Sequence, residues 1–538
     1  LKIDASAANN TTNLSAEFAA VAGGGATARN INGTIAISGN TSVTIDLSDY
    51  AGSNGSEFGK YVVGSSIAYE SGATVRQTGD ASVSIISRDG LTFRDAIIGG
   101  HFNPYRASSL TLTGNSSVAI DASAGGTFSH IVGGSYLGET ATAQATHAGN
   151  SSVEINGGAN AVFLGSIIGG SMDLMAAGSA KLVDHQGDTS VTIKGDATFS
   201  GGLTLNGDQL AVIGGTYVKN YTNGEYTKTK NSTVDISGGS FDGLVVTGSV
   251  VPYRSTTTIS GVNTLKISGG TFNKAVIGGV ASNGGGYASN ITFSSEETDI
   301  DVQITGGRFA SGADIIGGSY LVEAAGDNKS TFNGTIQLAV SGATVDSNIY
   351  GGTYIEGNSP VVQKDVELTL GNSEGTTTAI NGSVYAAGYA EGDAAFSTEN
   401  TKVTIAQGVS FGGSADAPIT ISGGYGGSGA NATVTGSKTL AATGGSVDLS
   451  GNNIILSNFT TADVAEGSSL NLGSKLATAG ITTKTGAGTL AIAGDMTGAN
   501  LRVEGGTLQV GNATVLGSLA MATDTTLKLT ASGADALH

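Results

Sequence analysis

Four acidic residues, Glu296, Glu297, Asp299 and Asp301, crowd a six-residue stretch of the chain. Two carboxyls about 5–9 Å apart can hydrolyse a glycosidic bond, one as acid and the other as base or nucleophile. If the stretch is a strand, Asp299 and Asp301 project to the same side. Oxygen-rich acidic clusters also hold calcium. A solvated acidic face leading into Val302 is the simpler reading and is preferred. The histidines, His101, His130, His147, His185 and His538, show no metal-ligand spacing and no His-Glu-x-x-His string. They read as structural or solvated side chains. No Gly-Lys-Ser/Thr phosphate loop occurs. No catalytic, cofactor-binding or metal-binding residue is assigned, and no cofactor is expected.

A tyrosine series carries more information. Tyr136, Tyr217, Tyr320 and Tyr354 each stand two residues after a Gly-Gly pair, Tyr389 and Tyr425 hold similar places, and Phe102 substitutes once. The steps 354−320 = 34, 389−354 = 35 and 425−389 = 36 imply a column. Exposed, such a column offers ring surface to a sugar or a partner protein. Internal, it is packing with the hydroxyl reaching solvent at a corner, and this second reading is preferred. Segments of variable length follow the Gly-Gly pairs: 137–148, 171–186, 218–230, 281–298, 321–329 and 355–364. Variable loops on a repeated scaffold are where such proteins bind. The loop 218–230 is the clearest basic one, with Lys219, Lys228, Lys230, Tyr221 and Tyr226 against the single acid Glu225. The possible binding edge is therefore Tyr136, Tyr217, Tyr221, Tyr226, Lys228, Lys230, Tyr320, Tyr354 and Tyr389.

These residues hang on a repeat. An alternating strand returns as Ser42-Val43-Thr44-Ile45, Ser82-Val83-Ser84-Ile85, Ser117-Val118-Ala119-Ile120 and Ser152-Val153-Glu154-Ile155. An aromatic follows at Phe58, Phe93, Phe128, Phe163, Phe199, Phe241, Phe272 and Phe309, and the position continues as Val345, Ile380 and Phe411. Then comes an aliphatic pair and two glycines, as in Ile97-Ile98-Gly99-Gly100, with Ile349-Tyr350-Gly351-Gly352 as a variant. Gly-Asn or Gly-Asp pairs such as Gly79-Asp80 and Gly114-Asn115 precede the alternating strand and read as tight turns favouring positive φ. The period is about 35 residues. Three strands and three bends make one triangular coil, and about eleven coils run between roughly residues 30 and 431, a rod of ~50 Å. Two smaller coils per repeat are the alternative. A β-propeller is the rival fold, but eleven repeats exceed its usual four to eight blades. After residue 431 the Ile-Gly-Gly signature disappears and shorter strands take over, such as Ser446-Val447-Asp448-Leu449.

Composition agrees with many short strands and tight turns: 87 glycines, 4 prolines and 39% hydrophobic residues in 538. Collagen is excluded by the absent three-residue period, and disorder by the apolar content. No cysteine is present, so disulfide scaffolds and cysteine-bound metals are excluded. A net charge of −19 makes nucleic acid and anionic bilayers poor partners. No signal peptide is visible at Leu1-Lys2-Ile3-Asp4, so the chain reads as an excised or processed segment, any membrane anchor lying outside it.

Lys484-Thr485-Gly486-Ala487-Gly488-Thr489-Leu490-Ala491-Ile492-Ala493-Gly494 resembles the passenger-associated repeat of bacterial autotransporters, and Val503-Glu504-Gly505-Gly506-Thr507-Leu508-Gln509-Val510-Gly511 resembles its second half. The match covers about 30 residues; elsewhere only the architecture is similar. The resemblance implies a passenger exported through an outer-membrane barrel, often an adhesin, autoaggregation factor or toxin, whose C-terminal coils help it fold outside the cell. The chain departs from the family plan in carrying no barrel. It also lacks the Gly-Asp-Ser-Gly of autotransporter serine proteases; Gly187-Asp188-Thr189-Ser190 is only a corner motif. The expectation is an all-β, right-handed parallel β-helix (solenoid) of about 35-residue coils, with a repeat region at 1–430 and smaller coils or a cap at 431–538. Its expected role is an adhesin or self-association surface, secreted or displayed on the bacterial cell. Its expected partners are a host glycan, an extracellular protein or its own copies. A polysaccharide-degrading enzyme and a structural spacer are the alternatives.

Overall fold

The structure is a computed structural model. It describes all residues except 1, 5–20, 25, 28–33, 49–55, 59–60, 69–73, 105–108, 139–143, 175–183, 220–224, 229, 252–255, 285–289, 296, 324–328, 359, 394, 512–513 and 531–538. The described chain is nearly all β, in long stacks of parallel strands, as in a parallel solenoid. Its one helix is the single turn Leu476–Ala479. Among the described residues no helix is long and apolar enough to cross a membrane.

Each strand pairs with its equivalent one repeat away. Ser116–Ala124 lies between Ala81–Arg88 and Ser151–Gly157, with Val118 opposite Val83 and Val153. One repeat is thus one coil, and the half-length alternative falls. The Phe column is in register throughout, from Phe58 through Phe309 and on through Val345, Ile380 and Phe411. From Phe58 to Phe309 the rings stack at centroid spacings of 4.8–5.1 Å. Beyond residue 430 the first sheet continues without a break, Thr401 pairing Lys438. There the coils shrink to 22 residues, the step from Thr439 to Thr461 and from Thr461 to Thr483. Lys484 is buried in this part. Its Nζ donates to the carbonyls of Gly486 at 2.5 Å, Gly488 at 2.8 Å and, one coil on, Gly505 at 2.6 Å. Burial pushes its pKa down to about 8, opposed by Asp463.

Two details of the expected coil are corrected. The Gly-Asn corner does not use positive φ: Gly79, Gly114, Gly149 and Gly187 are absent from the left-handed residues. Glycine is needed there because a Cβ would drive into the preceding coil's glycine carbonyl. The Asn or Asp beside it caps the neighbouring coil. Asn40 Oδ1 accepts from Asp80 N, Asp80 from Asn115, Asn115 from Asn150, Asn150 from Asp188, and Asp188 from Asn231, all at 2.8–2.9 Å. Left-handed glycines sit at the next corner, before the Phe, for example Gly239 (φ 98) and Gly307 (φ 98).

Nor is the coil triangular. The Phe and the aliphatic pair share one sheet, as in the single strand Leu91–Ile98, and the residues after Gly-Gly form a further sheet, as in Phe102–Asn103 and Tyr136–Leu137. At the aliphatic pair, Ile97 joins the Phe-lined core while its neighbour Ile98 joins a separate cluster with Phe102. Adjacent strand residues face opposite ways, so Ile98 and Phe102 meet across a bend that closes on the outside of the coil. The Gly-Gly corner is re-entrant. It reaches across the interior until Gly99, Gly133 and Gly169 lie against the first sheet's backbone, where a Cβ would crowd Ser117, Ser152 and Ser190. Ser151 Oγ bridges this waist to the Gly169 carbonyl at 2.6 Å. Hydroxyls just after this corner serve the neighbouring coil: Ser171 Oγ accepts from Ser135 N at 3.0 Å and Ser249 Oγ from Thr216 N at 3.0 Å. Past the waist the N-terminal interior holds polar side chains, with Gln77, His101, His147 and His185 all buried, beside a small apolar cluster of Ala68, Val75, Leu110, Leu137 and Ala145.

Candidate functional site

The re-entrant corner leaves a groove along the outside of the stack. Beneath it lies the second residue of each aliphatic pair, Ile98, Val132, Ile168, Ile213, Val246, Ile277, Ile316, Tyr350 and Tyr385, buried in every case but Tyr385. One wall is the tyrosine position, which is in register over nine coils as Phe102, Tyr136, Met172, Tyr217, Val250, Ala281, Tyr320, Tyr354 and Tyr389. The column implied by the spacing is therefore real, but it packs outside the main core rather than in it. Tyr425 leaves the column. Gly426, not Tyr425, pairs with Tyr389, and the Tyr425 hydroxyl turns inward to Thr398 Oγ1 at 2.7 Å and Gln363 Nε2 at 3.2 Å.

Midway along the groove a hairpin fills it. Leu203–Leu205 pairs antiparallel with Asp208–Ile213, and Leu205 and Leu210 join Tyr217 in the outer cluster, leaving Tyr217 buried. Tyr136 packs on Phe102 with rings tilted and centroids 4.9 Å apart, and stays partly exposed. The open stretch lies further on, where Tyr320, Tyr354, Tyr385 and Tyr389 surround the buried Tyr350. Tyr354 stacks on Tyr389 at 4.4 Å and on Tyr320 at 5.1 Å, and Tyr350 stacks on Tyr385 at 5.8 Å and meets Tyr354 edge-on at 5.6 Å. Tyr320, Tyr354, Tyr385 and Tyr389 are all partly exposed. The sequence reading missed Tyr350 and Tyr385, although the variant Ile349-Tyr350-Gly351-Gly352 was their signal: a ring in place of the outward aliphatic.

Carboxylates rim this stretch. The Tyr354 hydroxyl donates to Glu356 Oε1 at 2.5 Å and the Tyr389 hydroxyl to Glu391 Oε2 at 2.6 Å. Burial, then the nearby charges of Glu356 and Asp208, push Tyr320 up to about 12. The Glu391 bond, then burial, does the same for Tyr389. Tyr350 is raised by burial and Asp314, and Tyr354 by burial and its bond to Glu356. The phenols stay protonated at neutral pH and remain donors.

The other candidates separate. A bulge between Thr298 and Ile300 breaks the alternation, so Asp299 and Asp301 do not share a face as expected. Asp299 is buried, with Oδ2 accepting from Gly334 N at 2.7 Å and Oδ1 unpartnered, and burial pushes its pKa up to about 6. Asp301 faces outward and accepts from Gln303 Nε2 at 2.8 Å. It lines a surface depression with Gln337 and Glu367. Glu297 is exposed, and Glu296 lies outside the described residues. Coil stacking brings together two histidines distant in sequence: His147 lies in register with His185, rings 4.5 Å apart. His101 Nδ1 lies 2.7 Å from Ser65 Oγ, a spacing suited to a nucleophile and its base, but both side chains are fully buried. His130 is partly buried, and its Nδ1 accepts from Ser166 N at 3.0 Å. His538 is outside the described residues. Among the described residues no three metal-ligating side chains cluster.

In the basic loop, Tyr221 falls outside the described residues, Tyr226 and Lys228 belong to the strand Glu225–Lys228 without described side chains, and Lys230 is exposed. The segment 355–364, expected as a loop, is mostly strand, within Thr353–Gly357 and Val361–Leu370. Comparison of the chain with protein-family models, with curated proteins and with solved structures found no significant match.

Proposed function

We propose that the chain is a right-handed parallel β-helix acting as a secreted or surface-displayed bacterial passenger, a non-enzymatic rod whose outer tyrosine groove binds a glycan, an extracellular protein or another copy of the chain. The observation that carries this reading is the partly exposed tyrosine ladder from Tyr320 to Tyr389, set outside the core on a rigid stack. Aromatic surface ordered in this way costs little entropy to bind against. Parallel strands joined by crossovers in one sheet are right-handed in almost every known case, which supports the hand. The similarity of the segment from Lys484 to Gly511 to the passenger-associated repeat supports export and surface display.

The test is binding of the purified chain to an array of glycans and extracellular-matrix proteins, with soluble product followed in the same wells. Saturable binding that disappears in the Tyr354→Ala, Tyr389→Ala double variant supports the proposal. Binding that survives both substitutions moves the site to the variable loops. Released oligosaccharide sinks the non-enzymatic reading and turns attention to Asp301 and Glu367.

A further inference from the structure

Several carboxylates on the outside of the stack are answered by a partner one coil away. Glu154 meets Lys194 at 3.2 Å, and Asp346 meets Arg308. Asp242 accepts from Asn273 Nδ2 at 2.7 Å, Asp365 from Asn400 at 2.8 Å and Asp121 from Asn156 at 3.2 Å. Glu356 and Glu391 break this pattern. They lie in register, one carboxylate directly over the next. Each receives the tyrosine hydroxyl of its own strand, and among the described residues neither has an ion pair. Lys274, which lies towards the hairpin, is held by Asp208 at 2.8 Å. Like charges at neighbouring strand positions repel, and Asp314 and Asp208 add to the same negative field at Tyr350 and Tyr320.

The ladder also presents its rings in a particular way. Tyr354 has Tyr320 and Tyr389 on its faces, so its edge and hydroxyl are what the groove offers. Lysine and arginine lay their methylenes along apolar surface while the charged head stays wet. Ring edges rimmed by paired carboxylates match that shape and sign. An anionic ligand meets repulsion here, and a neutral one leaves the stacked charges unanswered.

We infer that the occupant of the open groove is a basic polypeptide segment, its lysine or arginine stems lying along Tyr354 and Tyr389 and its cationic heads on Glu356 and Glu391. This rests on the proposal that the tyrosine groove is the binding surface, and it names the partner chemistry. The test uses the full chain and three fluorescent probes: a short peptide of alternating lysine and glycine, its glutamate counterpart and a neutral oligosaccharide. The lysine peptide binds, the glutamate peptide does not, and Glu356→Gln with Glu391→Gln weakens binding by about tenfold or more, the scale of one lost charged contact. Glutamine keeps the shape and can still accept the tyrosine hydroxyl. If the glutamine variant binds the lysine peptide as tightly as the parent, attraction comes only from the overall charge of −19 and the inference falls. If only the oligosaccharide binds, and Tyr354→Ala abolishes it, the groove stands as a site and its cation preference is overturned. If no probe responds to any groove variant, both readings fall together.

Discussion

Two aromatic columns run along this molecule at the same pitch, and they do different work. The Phe column lies inside, walled by Val and Ile of two sheets, with no polar atom to satisfy. The Tyr column lies outside, on the sheet after the re-entrant corner, with the Tyr354 and Tyr389 hydroxyls tied to carboxylates. Both obey one repeat length and both stack at about the coil spacing. The difference is the strand that carries the ring: the Phe strand turns its ring into the coil, whereas the strand after Gly-Gly lays its ring outside, against Ile98 and its equivalents. A repeated backbone can therefore build its core and its display surface from the same chemistry.

The largest break in this symmetry is expected from truncating one ring in each column. Phe163→Ala, between Phe128 and Phe199, should cost about 3–5 kcal/mol by leaving a cavity with no route to collapse. Tyr354→Ala, partly exposed, should cost about 1 kcal/mol or less. Denaturant unfolding of both variants checks the pair, and equal losses would mean that the Tyr column is core.

Acid sharpens the same contrast from inside. Burial lowers His101 to about 4, although its contact with the Thr111 carbonyl opposes this. A folded-state value below the unfolded one near 6.5 gives stability that is fully present above pH 6.5. It is lost as pH falls towards 4, by about 3 kcal/mol in all. His101→Gln should flatten that fall in thermal scans taken across the window, while substitutions in the Tyr groove leave it in place.

The smallest effect runs the other way. Burial raises Asp299, so its contribution is present below pH 4 and shrinks as pH rises through about 6. Asp299→Asn should remove this dependence and modestly stabilise the chain at neutral pH. A variant less stable than the parent at pH 7 would show that the bond from Gly334 N to the ionised carboxylate outweighs the cost of its burial.

What could be read from the sequence follows the same inside-and-outside logic. The Phe positions were legible, down to Val345 and Ile380, because an inward column tolerates only apolar residues and so repeats cleanly. The Tyr column was legible as a period but not as a surface. Ile97 and Ile98 are both apolar and adjacent, and nothing in their types says that one points in and the other out. The re-entrant bend was hidden for that reason, and Tyr350 and Tyr385 with it. Asp299 and Asp301 were misread because a one-residue bulge leaves no mark in composition. Tyr425 kept the spacing of its column and lost the register. His147 and His185 were invisible as neighbours until the coil length was taken as a contact distance.

The corner ladder of Asn and Asp has one more implication. Each of these side chains spends its acceptor on a backbone group of the coil that follows it in sequence. A finished coil therefore carries a printed edge, a fixed row of acceptors that only a correctly aligned successor can fill. Register is thereby checked at every interface of the stack, because a slipped coil leaves the row of acceptors unfilled and its own N–H groups unpaired. Insertions of any length between the Tyr strand and the next Gly-Asn corner leave that edge untouched, so the molecule can revise its loops without losing its place.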